Sequence, residues 1–319
     1  MFRSARASAW LQIHFCVLLW GFTAILGKAI ALPAFPLVLW RMALVAVLLF
    51  LLPAFRRDLA ALSPGRMAAF AGIGILVAAH WVTFYASIKL ANASVAATCM
   101  ALAPAFVAFV EPLFVGSRFN PREVLFGVAM IPGVALVVGG VPAGMRVGIG
   151  VGVVSAAIVS VFGTLNKRFI RDAGALGVTG VEMAAGAVTL AAAAPLWPGV
   201  RQAFVLPDSR DAILITVLAV ACTLVPFALS LATLRHLSAY DTALAVNMEP
   251  VYAIALAMLF FGEQRELGLG FYAGVAIIVG VVFSHSLIGA WPKAIAAPSE
   301  KGTGARPSRP RSSEGSPRQ

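Results

Sequence analysis

Ionisable side chains stand inside long apolar runs of this chain, and each could do chemistry that an apolar run alone cannot. Arg41 lies in the run 34–54, where its always-charged guanidinium could hold a carboxylate through two parallel hydrogen bonds. It could equally pair with an internal carboxylate or extend toward the membrane interface, and these alternatives stay open. Glu249 precedes Pro250, which lacks an N–H and frees a carbonyl. A carboxylate there could bind an ammonium group or take up a proton.

Three more ionisable residues are candidates for binding or proton transfer. His80 could bind a ligand or carry a proton because imidazole titrates near neutral pH, although a lone histidine also commonly bonds a neighbouring helix. Glu111 stands near the end of its run, which favours an interfacial or structural carboxylate. Glu182 lies inside a further run, where the structural role is also favoured over the functional one.

Aromatic and amide side chains near these groups complete the predicted site. Trp81 and Tyr85 are four residues apart and share one face of a helix. Trp20 and Tyr252 are candidate walls of a cavity, although aromatic residues in apolar runs more often serve packing or the membrane interface. The predicted substrate-binding residues are Trp20, Arg41, His80, Trp81, Tyr85, Asn247, Glu249 and Tyr252, and the predicted proton-coupling residues are Glu249, Glu111 and His80.

The composition restricts the class to integral membrane proteins. Of the 319 residues, 61% are hydrophobic and 12% are charged, against about 25% charged in soluble domains. The net charge of +11 does not indicate nucleic-acid binding, because the basic residues stand in short loops and in the C-terminal tail. The 3 cysteines lie inside apolar runs, which indicates packing residues and no disulfide framework.

Ten apolar runs approach the length of about 20 residues that a helix needs to cross a bilayer. They are 9–30, 34–54, 67–88, 93–115, 124–140, 148–168, 175–196, 211–234, 240–261 and 269–289. The divisions at 89–94 and 236–240 depend on short polar breaks. The pattern predicts an all-α integral membrane protein with ten transmembrane helices.

Two stretches of the chain match each other. Residues 90–116 read LANASVAATCMALAPAFVAFVEPLFVG, and residues 236–262 read HLSAYDTALAVNMEPVYAIALAMLFFG. With Pro104 set on Pro250, the glycines that end the two stretches also coincide. The chain is therefore predicted to consist of two repeats, 9–140 and 148–289, between a cytoplasmic N-terminus, 1–8, and a disordered basic tail, 290–319.

The distribution of Lys and Arg predicts that both termini lie in the cytoplasm, because cytoplasmic loops carry an excess of positive charge. Each repeat then has five spans, an odd number, so the second repeat enters the membrane from the opposite side. Two inverted five-helix repeats place a binding site near the bilayer midplane at their interface, and they are a common basis for alternating access.

Four segments together resemble EamA-type proteins of the drug/metabolite transporter superfamily. They are LLWGFTAILGK (18–28), LVLWRMALVAV (37–47), HWVTFYASIKLANASVA (80–96) and NMEPVYAIALAMLFFGE (247–263). The resemblance covers about residues 10–289 and implies a ten-helix secondary carrier, commonly an exporter of amino acids or other small metabolites. One departure is that the first repeat has Ser117 after its glycine, where the second has Glu263.

The leading functional prediction is a secondary active exporter in a bacterial-type inner membrane, with proton coupling as a hypothesis. Its partners would be a small-molecule substrate and the lipid bilayer, without nucleic acid, and a homodimer stays open. No phosphate-binding GxxxxGK[ST] motif occurs in the sequence, and we expect no cofactor, metal or catalytic residue. A passive channel or lipid scramblase is the alternative. An intramembrane enzyme is less favoured because neither HExxH nor GxSxG occurs.

Overall fold

The computed structural model describes residues 2–116, 119–169, 173–196, 203–233, 236–237 and 245–295. Its helices are α1 (Phe2–Ala29), α2 (Ala34–Phe50), α3 (Pro53–Ala60), α4 (Pro64–Leu90), α5 (Ala93–Met100), α6 (Ala103–Val115), α7 (Pro121–Ala129), α8 (Ile131–Gly139), α9 (Arg146–Phe169), α10 (Ala175–Ala193), α11 (Ser209–Ala219), α12 (Val225–Thr233), α13 (Glu249–Phe261) and α14 (Leu269–Ile295). No strand occurs in these described ranges, which confirms the all-α prediction.

Six helical stretches of the described chain are long and apolar enough to cross a bilayer. They are Ala7–Ala29, Pro64–Leu90, Ala93–Val115, Pro121–Gly139, Ala143–Phe169 and Ala175–Leu196. A seventh is added if α2 and α3 count as one bent span, and Glu249–Phe261 and Leu269–Ser284 are shorter apolar helices. The chain is thus a multi-pass membrane protein, and the predicted count of ten spans is not confirmed in full.

Three predicted boundaries differ from the structure. The second span was expected to reach residue 54, but α2 ends at Phe50 and α3 leaves it at an angle of 90°. The residue before Pro53 is forced out of the helical region, and Leu52 is extended at φ −81° and ψ 125°. At the termini, α1 already begins at Phe2 and α14 continues past 289 to Ile295, so the predicted tail starts as helix. The remainder of that tail, 296–319, lies outside the described residues.

The two matching sequence stretches form matching half-helices. α6 and α13 each have 13 residues, each begins next to a proline, and each ends at a left-handed glycine, Gly116 with φ 73° and Gly262 with φ 65°. A complete break in the helix precedes each of these prolines, because the turns at 101–102 and 247–248 end one helix before the next begins. Glu249 is therefore the first residue of a helix, and the alignment of the repeats is confirmed.

The packing of the helices is also related by the repeat. α4 packs against α9 as its counterpart α12 packs against α1, and α6 packs against α9 as α13 packs against α1. In two further pairs, α2 with α10 and α8 with α14, the helices in contact are equivalent helices of the two repeats. Exchanging the halves preserves these contacts, as a pseudo-two-fold axis between inverted repeats requires. The core therefore lies between the halves.

Candidate substrate cavity

A cavity of about 990 Å³ lies between the two repeats. Both halves supply its walls, and the breaks before α6 and α13 both face it through Pro104 and Pro250. Most of the wall is apolar, with side chains that include Val77, Phe84, Met100, Phe126 and Val279. Its volume is at the upper end of the range usual for small-molecule sites, which are mostly apolar with a few placed polar groups.

Arg41, in the middle of α2, is the most deeply buried charged residue in this wall. It is 3% exposed. Its Nη1 donates to the Tyr85 hydroxyl at 2.5 Å, and its Nη2 donates to Thr223 Oγ1 at 2.8 Å. The guanidinium carbon lies 3.7 Å from the centre of the Trp81 ring, and Nε has no hydrogen-bond partner. Among the described residues no carboxylate lies within ion-pair distance of Arg41.

The partners of Arg41 come from both repeats. Trp81 and Tyr85 come from α4, one helical turn apart, as predicted. Thr223 lies in the π-helical turn Val220–Leu224 between α11 and α12, where its hydroxyl also donates to the Leu218 carbonyl at 3.0 Å. Sequence analysis missed Thr223, because the pattern of an apolar run predicts neither a π-turn nor the orientation of the side chains in it.

His80 lines the cavity on α4 and is fixed by α9. Its Nδ1 lies 3.1 Å from the Ser155 carbonyl and 2.9 Å from the Ser155 hydroxyl. A carbonyl only accepts, so Nδ1 carries the hydrogen, and the neutral ring keeps Nε2 as an acceptor. The ring lies between Phe84 and Phe162, with centroids 6.2 and 5.4 Å away. Ser155 is a second residue that sequence analysis missed.

Glu249 and Asn247 line the cavity where α13 begins. The positive end of a helix dipole favours a carboxylate in the first turn, and α13 has its acidic residue there. No Lys or Arg of the described residues lies within ion-pair distance of Glu249. The carboxylate therefore faces the cavity without a fixed cation.

Glu182, on α10, is another carboxyl group in the wall. It is 6% exposed, and its Oε1 has no hydrogen-bond partner. The backbones of α10 and α4 approach closely here, because a Cβ atom added at Gly74 would lie 2.3 Å from the backbone carbonyl oxygen of Glu182. The sequence favoured a structural role here, and the structure places the side chain in the cavity wall.

The cavity reaches the protein surface at one end. Lys167 and Glu111 are in its wall and form an ion pair at 2.7 Å, and the Lys167 side chain is 64% exposed. Arg168 beside it donates to the Phe114 carbonyl at 2.6 Å. Of the predicted proton-coupling residues, Glu111 thus has a cation partner at the mouth, whereas Glu249 and His80 lie in the wall.

The predicted aromatic residues divide into two groups. Trp20 and Trp81 line the cavity. Tyr85 is fully buried behind Arg41 and does not line it. Tyr252 does not form the cavity wall that was expected, because its hydroxyl bonds His14 Nδ1 at 2.9 Å in a separate cluster around α1.

The opposite end of the bundle is closed by a buried carboxylate. Glu263 has 0% exposure and accepts from Lys28 Nζ at 2.8 Å, from the backbone N–H of Ala93 at 3.0 Å and from that of Ser94 at 2.8 Å. It therefore caps the start of α5 in the first repeat from the end of α13 in the second. None of these four residues lines the cavity.

The described residues contain no group of three or more His, Cys, Asp or Glu placed to hold a metal ion. The helices form a two-repeat membrane bundle around a cavity that is open at one end and closed at the other. This arrangement is typical of secondary transporters. The EamA-like transporter family model matches the chain twice, over residues 8–139 and 146–286. The chain belongs to this family of the drug/metabolite transporter superfamily and is a membrane transporter.

Comparison with solved structures agrees on the fold. A crystal structure described only as that of a protein matches 90% of this chain and 99% of its own, with a TM-score of 0.56 and 18% identity. At that identity the likeness shows the fold alone. A comparison with curated proteins found no match.

Proposed function

We propose that this membrane transporter is a secondary active carrier that exports small carboxylate-bearing metabolites, amino acids among them. Arg41 carries the proposal. A charged guanidinium away from water is costly unless a counter-charge is present, and the described residues supply none within ion-pair distance. A substrate carboxylate would satisfy the free Nε–H and the remaining Nη hydrogens of Arg41 in the fork geometry that guanidinium favours.

The direction of transport is argued from the two ends of the cavity. The open end carries Lys167 and Glu111, and the positive-inside distribution assigns that end to the cytoplasm. A cavity that loads from the cytoplasm and is closed at the Glu263 end suits a substrate on its way out. Alternating access then requires the Glu263 end to open and the Lys167 end to close.

Proton coupling is proposed through Glu249, with His80 and Glu111 as further candidates. Glu249 faces the cavity, and no described Lys or Arg lies within ion-pair distance of it, so a proton can neutralise it without breaking an ion pair with any of them. Protonation of Glu111 would break its ion pair with Lys167. His80 has only Nε2 available to accept a proton, because Nδ1 donates to the Ser155 carbonyl. Proton entry from outside would then accompany export of the substrate.

Counterflow in proteoliposomes tests the carrier against the channel or scramblase. A thermal-shift screen of amino acids and organic acids in detergent selects the substrate. Unlabelled substrate inside the vesicles should stimulate uptake of labelled substrate, and uptake should saturate. Arg41→Gln should lower uptake at least about ten-fold, as loss of a charged hydrogen bond predicts, while Arg146→Gln, at an exposed position, should not. Unsaturable uptake without stimulation would identify a channel.

An imposed pH gradient tests the coupling. Substrate accumulation should follow the gradient in the wild-type protein and in Glu266→Gln, whose side chain is exposed and outside the cavity. Glu249→Gln should exchange substrate but no longer respond to the gradient. Uptake by the wild-type protein that ignores the gradient would remove proton coupling and leave the carrier.

A further inference from the structure

Arg41 has a repeat counterpart of opposite charge. Residues 41–47 read RMALVAV and residues 182–188 read EMAAGAV, so that Met42, Ala43, Ala46 and Val47 are matched by identical residues. Arg41 lies seven residues after the first residue of α2, and Glu182 lies seven after the first residue of α10. The pseudo-two-fold axis therefore relates a guanidinium to a carboxylate.

Both members of this pair face the same cavity. α2 and α10 pack against each other. A Cβ atom added at Gly186, one turn after Glu182, would lie 2.1 Å from Cε of Met42, the residue after Arg41. Arg41 and Glu182 both line the cavity, yet they form no ion pair. The site is therefore dipolar, with a fixed positive group on one repeat and a carboxyl group on the other.

Glu182 is incompletely hydrogen-bonded within the described residues. The hydrogen-bonding neighbour found for it there is the Asn166 side chain on α9. A carboxylate only accepts, so the amide NH₂ of Asn166 must face it, and this leaves the amide oxygen as an acceptor. Glu182 Oε1 and Asn166 Oδ1 are both buried without a partner. Two such oxygens suit a group that brings several donors, as an ammonium does.

We propose that Glu182, with Asn166 beside it, is the subsite for the ammonium group of a zwitterionic substrate whose carboxylate binds Arg41. The inference rests on the proposed function and adds to it the group that selects the substrate. A zwitterion supplies both counter-charges in one binding event, and a monoanion or a monocation leaves one charged group of the cavity without its partner. The same symmetry places the two charged groups on opposite sides of the axis, and both line the one cavity.

A set of three ligands with one carbon skeleton tests the subsite in the full-length protein. L-leucine carries both charged groups, 4-methylpentanoate lacks the ammonium, and 3-methylbutylamine lacks the carboxylate, and the branched skeleton suits the apolar walls. Their dissociation constants are measured by calorimetry in detergent. The wild-type protein should bind L-leucine about 10- to 100-fold more tightly than either analogue, as expected for loss of a hydrogen bond to a charged group.

Two substitutions at position 182 locate the preference. In Glu182→Gln, L-leucine should bind no better than 4-methylpentanoate, whose affinity should stay within about two-fold of wild type because it never used the carboxylate. Glu182→Asp keeps the charge and should recover part of the preference. Glu266→Gln should behave as wild type. If Glu182→Gln fails to fold, the affinities of the three ligands for the wild-type protein and for Glu182→Asp decide.

The results separate this inference from the function it rests on. If Glu182→Gln keeps the preference for L-leucine, or if the wild-type protein binds 4-methylpentanoate as tightly as L-leucine, the ammonium subsite is wrong and the carboxylate site stands. If Arg41→Gln binds L-leucine normally, the carboxylate site is wrong, and 3-methylbutylamine still reports on Glu182. If the wild-type protein binds none of the three but binds other organic anions, the zwitterion site is wrong.

Discussion

Arg41 is held by neutral side chains, and this leaves its charge available to a ligand. Hydrogen bonds to Tyr85 and Thr223 orient the guanidinium, and the face of Trp81 adds a cation–π contact of about 2 kcal/mol where water is excluded. An internal carboxylate would satisfy the same hydrogen bonds but would also neutralise the charge. Of the three roles open to Arg41 from sequence, ion pairing with a described residue and extension toward the interface do not occur.

The Tyr85 hydroxyl is expected to act through Arg41, without touching substrate. Tyr85→Phe removes the acceptor of Nη1 and lets the guanidinium turn, which should raise KM about five-fold, or about 1 kcal/mol, with little change in kcat. Uptake kinetics in proteoliposomes measure both constants. Tyr252→Phe is the control, since it also loses a hydroxyl hydrogen bond but lies outside the cavity wall. An unchanged KM in Tyr85→Phe would mean that the hydroxyl does not orient Arg41.

At this scale the sequence identified charged residues better than their partners. Arg41, His80 and Glu249 were predicted because ionisable groups are conspicuous in apolar runs. Ser155 and Thr223 were not, because each meets its partner across helices that are distant in sequence. The position of Glu182 in the cavity wall was not predicted, because hydropathy does not report that α10 packs against the helix of Arg41.

The broken helices explain how the repeat builds a site in the middle of a membrane. Each break frees backbone groups that only a protein-lined cavity can tolerate at that depth, and both breaks face the cavity. Each proline suits the first turn of the half-helix after the break, where a missing N–H costs nothing. The sequence places matching prolines, Pro104 and Pro250, at the two breaks, but it did not predict that separate helices meet there.

The pair α8 and α14 depends on close contact between backbones. Gly268 N–H donates to the Gly140 carbonyl at 2.8 Å, and Gly133 and Gly274 face each other where a side chain would collide with the opposite carbonyl. Small residues allow such close approach of helices in membranes. The spacing of glycines along the chain indicates close helix contacts of this kind, but it does not identify the partner helix.

Two neighbouring glycines at the end of α8 test this contact. A Cβ atom at Gly140 would lie 2.1 Å from the Phe271 backbone nitrogen, whereas one at Gly139 meets nothing within 4 Å. Gly140→Ala should therefore lower the free energy of unfolding by about 1–3 kcal/mol through overpacking. Gly139→Ala should leave it unchanged or raise it slightly. Thermal unfolding in detergent measures both, and equal melting temperatures for the two variants would contradict the contact.

At the scale of the whole molecule, the repeats are alike in fold and unlike in charge. One end of the bundle is held by a buried carboxylate with three donors, and the other by a solvent-exposed ion pair. The difference follows from single positions, since Glu263 in the second repeat is matched by Ser117 in the first. The sequence revealed this asymmetry, but not that Glu263 reaches across to cap α5.

The orientation of the bundle is the first prediction at this scale. The Lys and Arg distribution predicts that both termini lie in the cytoplasm and that the loop before α9 lies outside. Green fluorescent protein fused at the C-terminus should fluoresce, and alkaline phosphatase fused after Pro142 should be active, because that enzyme works only on the outer side. The reverse result in both fusions would invert the assignment of the cavity's open end.

The Glu263 cap should control how often the closed end opens. Glu263→Gln loses the charge that holds Lys28 and two N–H groups. This should weaken the proposed inward-facing state and raise the outward-open population about ten-fold, or about 1.4 kcal/mol. The rate at which an impermeant maleimide, added outside the cell, labels a Met100→Cys variant measures this population, because Met100 lines the cavity. We expect faster labelling when Glu263→Gln is also present. The parent chain is labelled in parallel, because Cys222 also lines the cavity.

The neighbouring charge provides the control for that measurement. Arg265→Gln changes an exposed residue just after the cap and should label at the wild-type rate. Faster labelling should be accompanied by slower loading from the cytoplasm, because a state that opens outward more often faces inward less often. If Glu263→Gln labels no faster than Arg265→Gln while transport is intact, the buried carboxylate fixes the fold at that end and does not set the balance between the two open states.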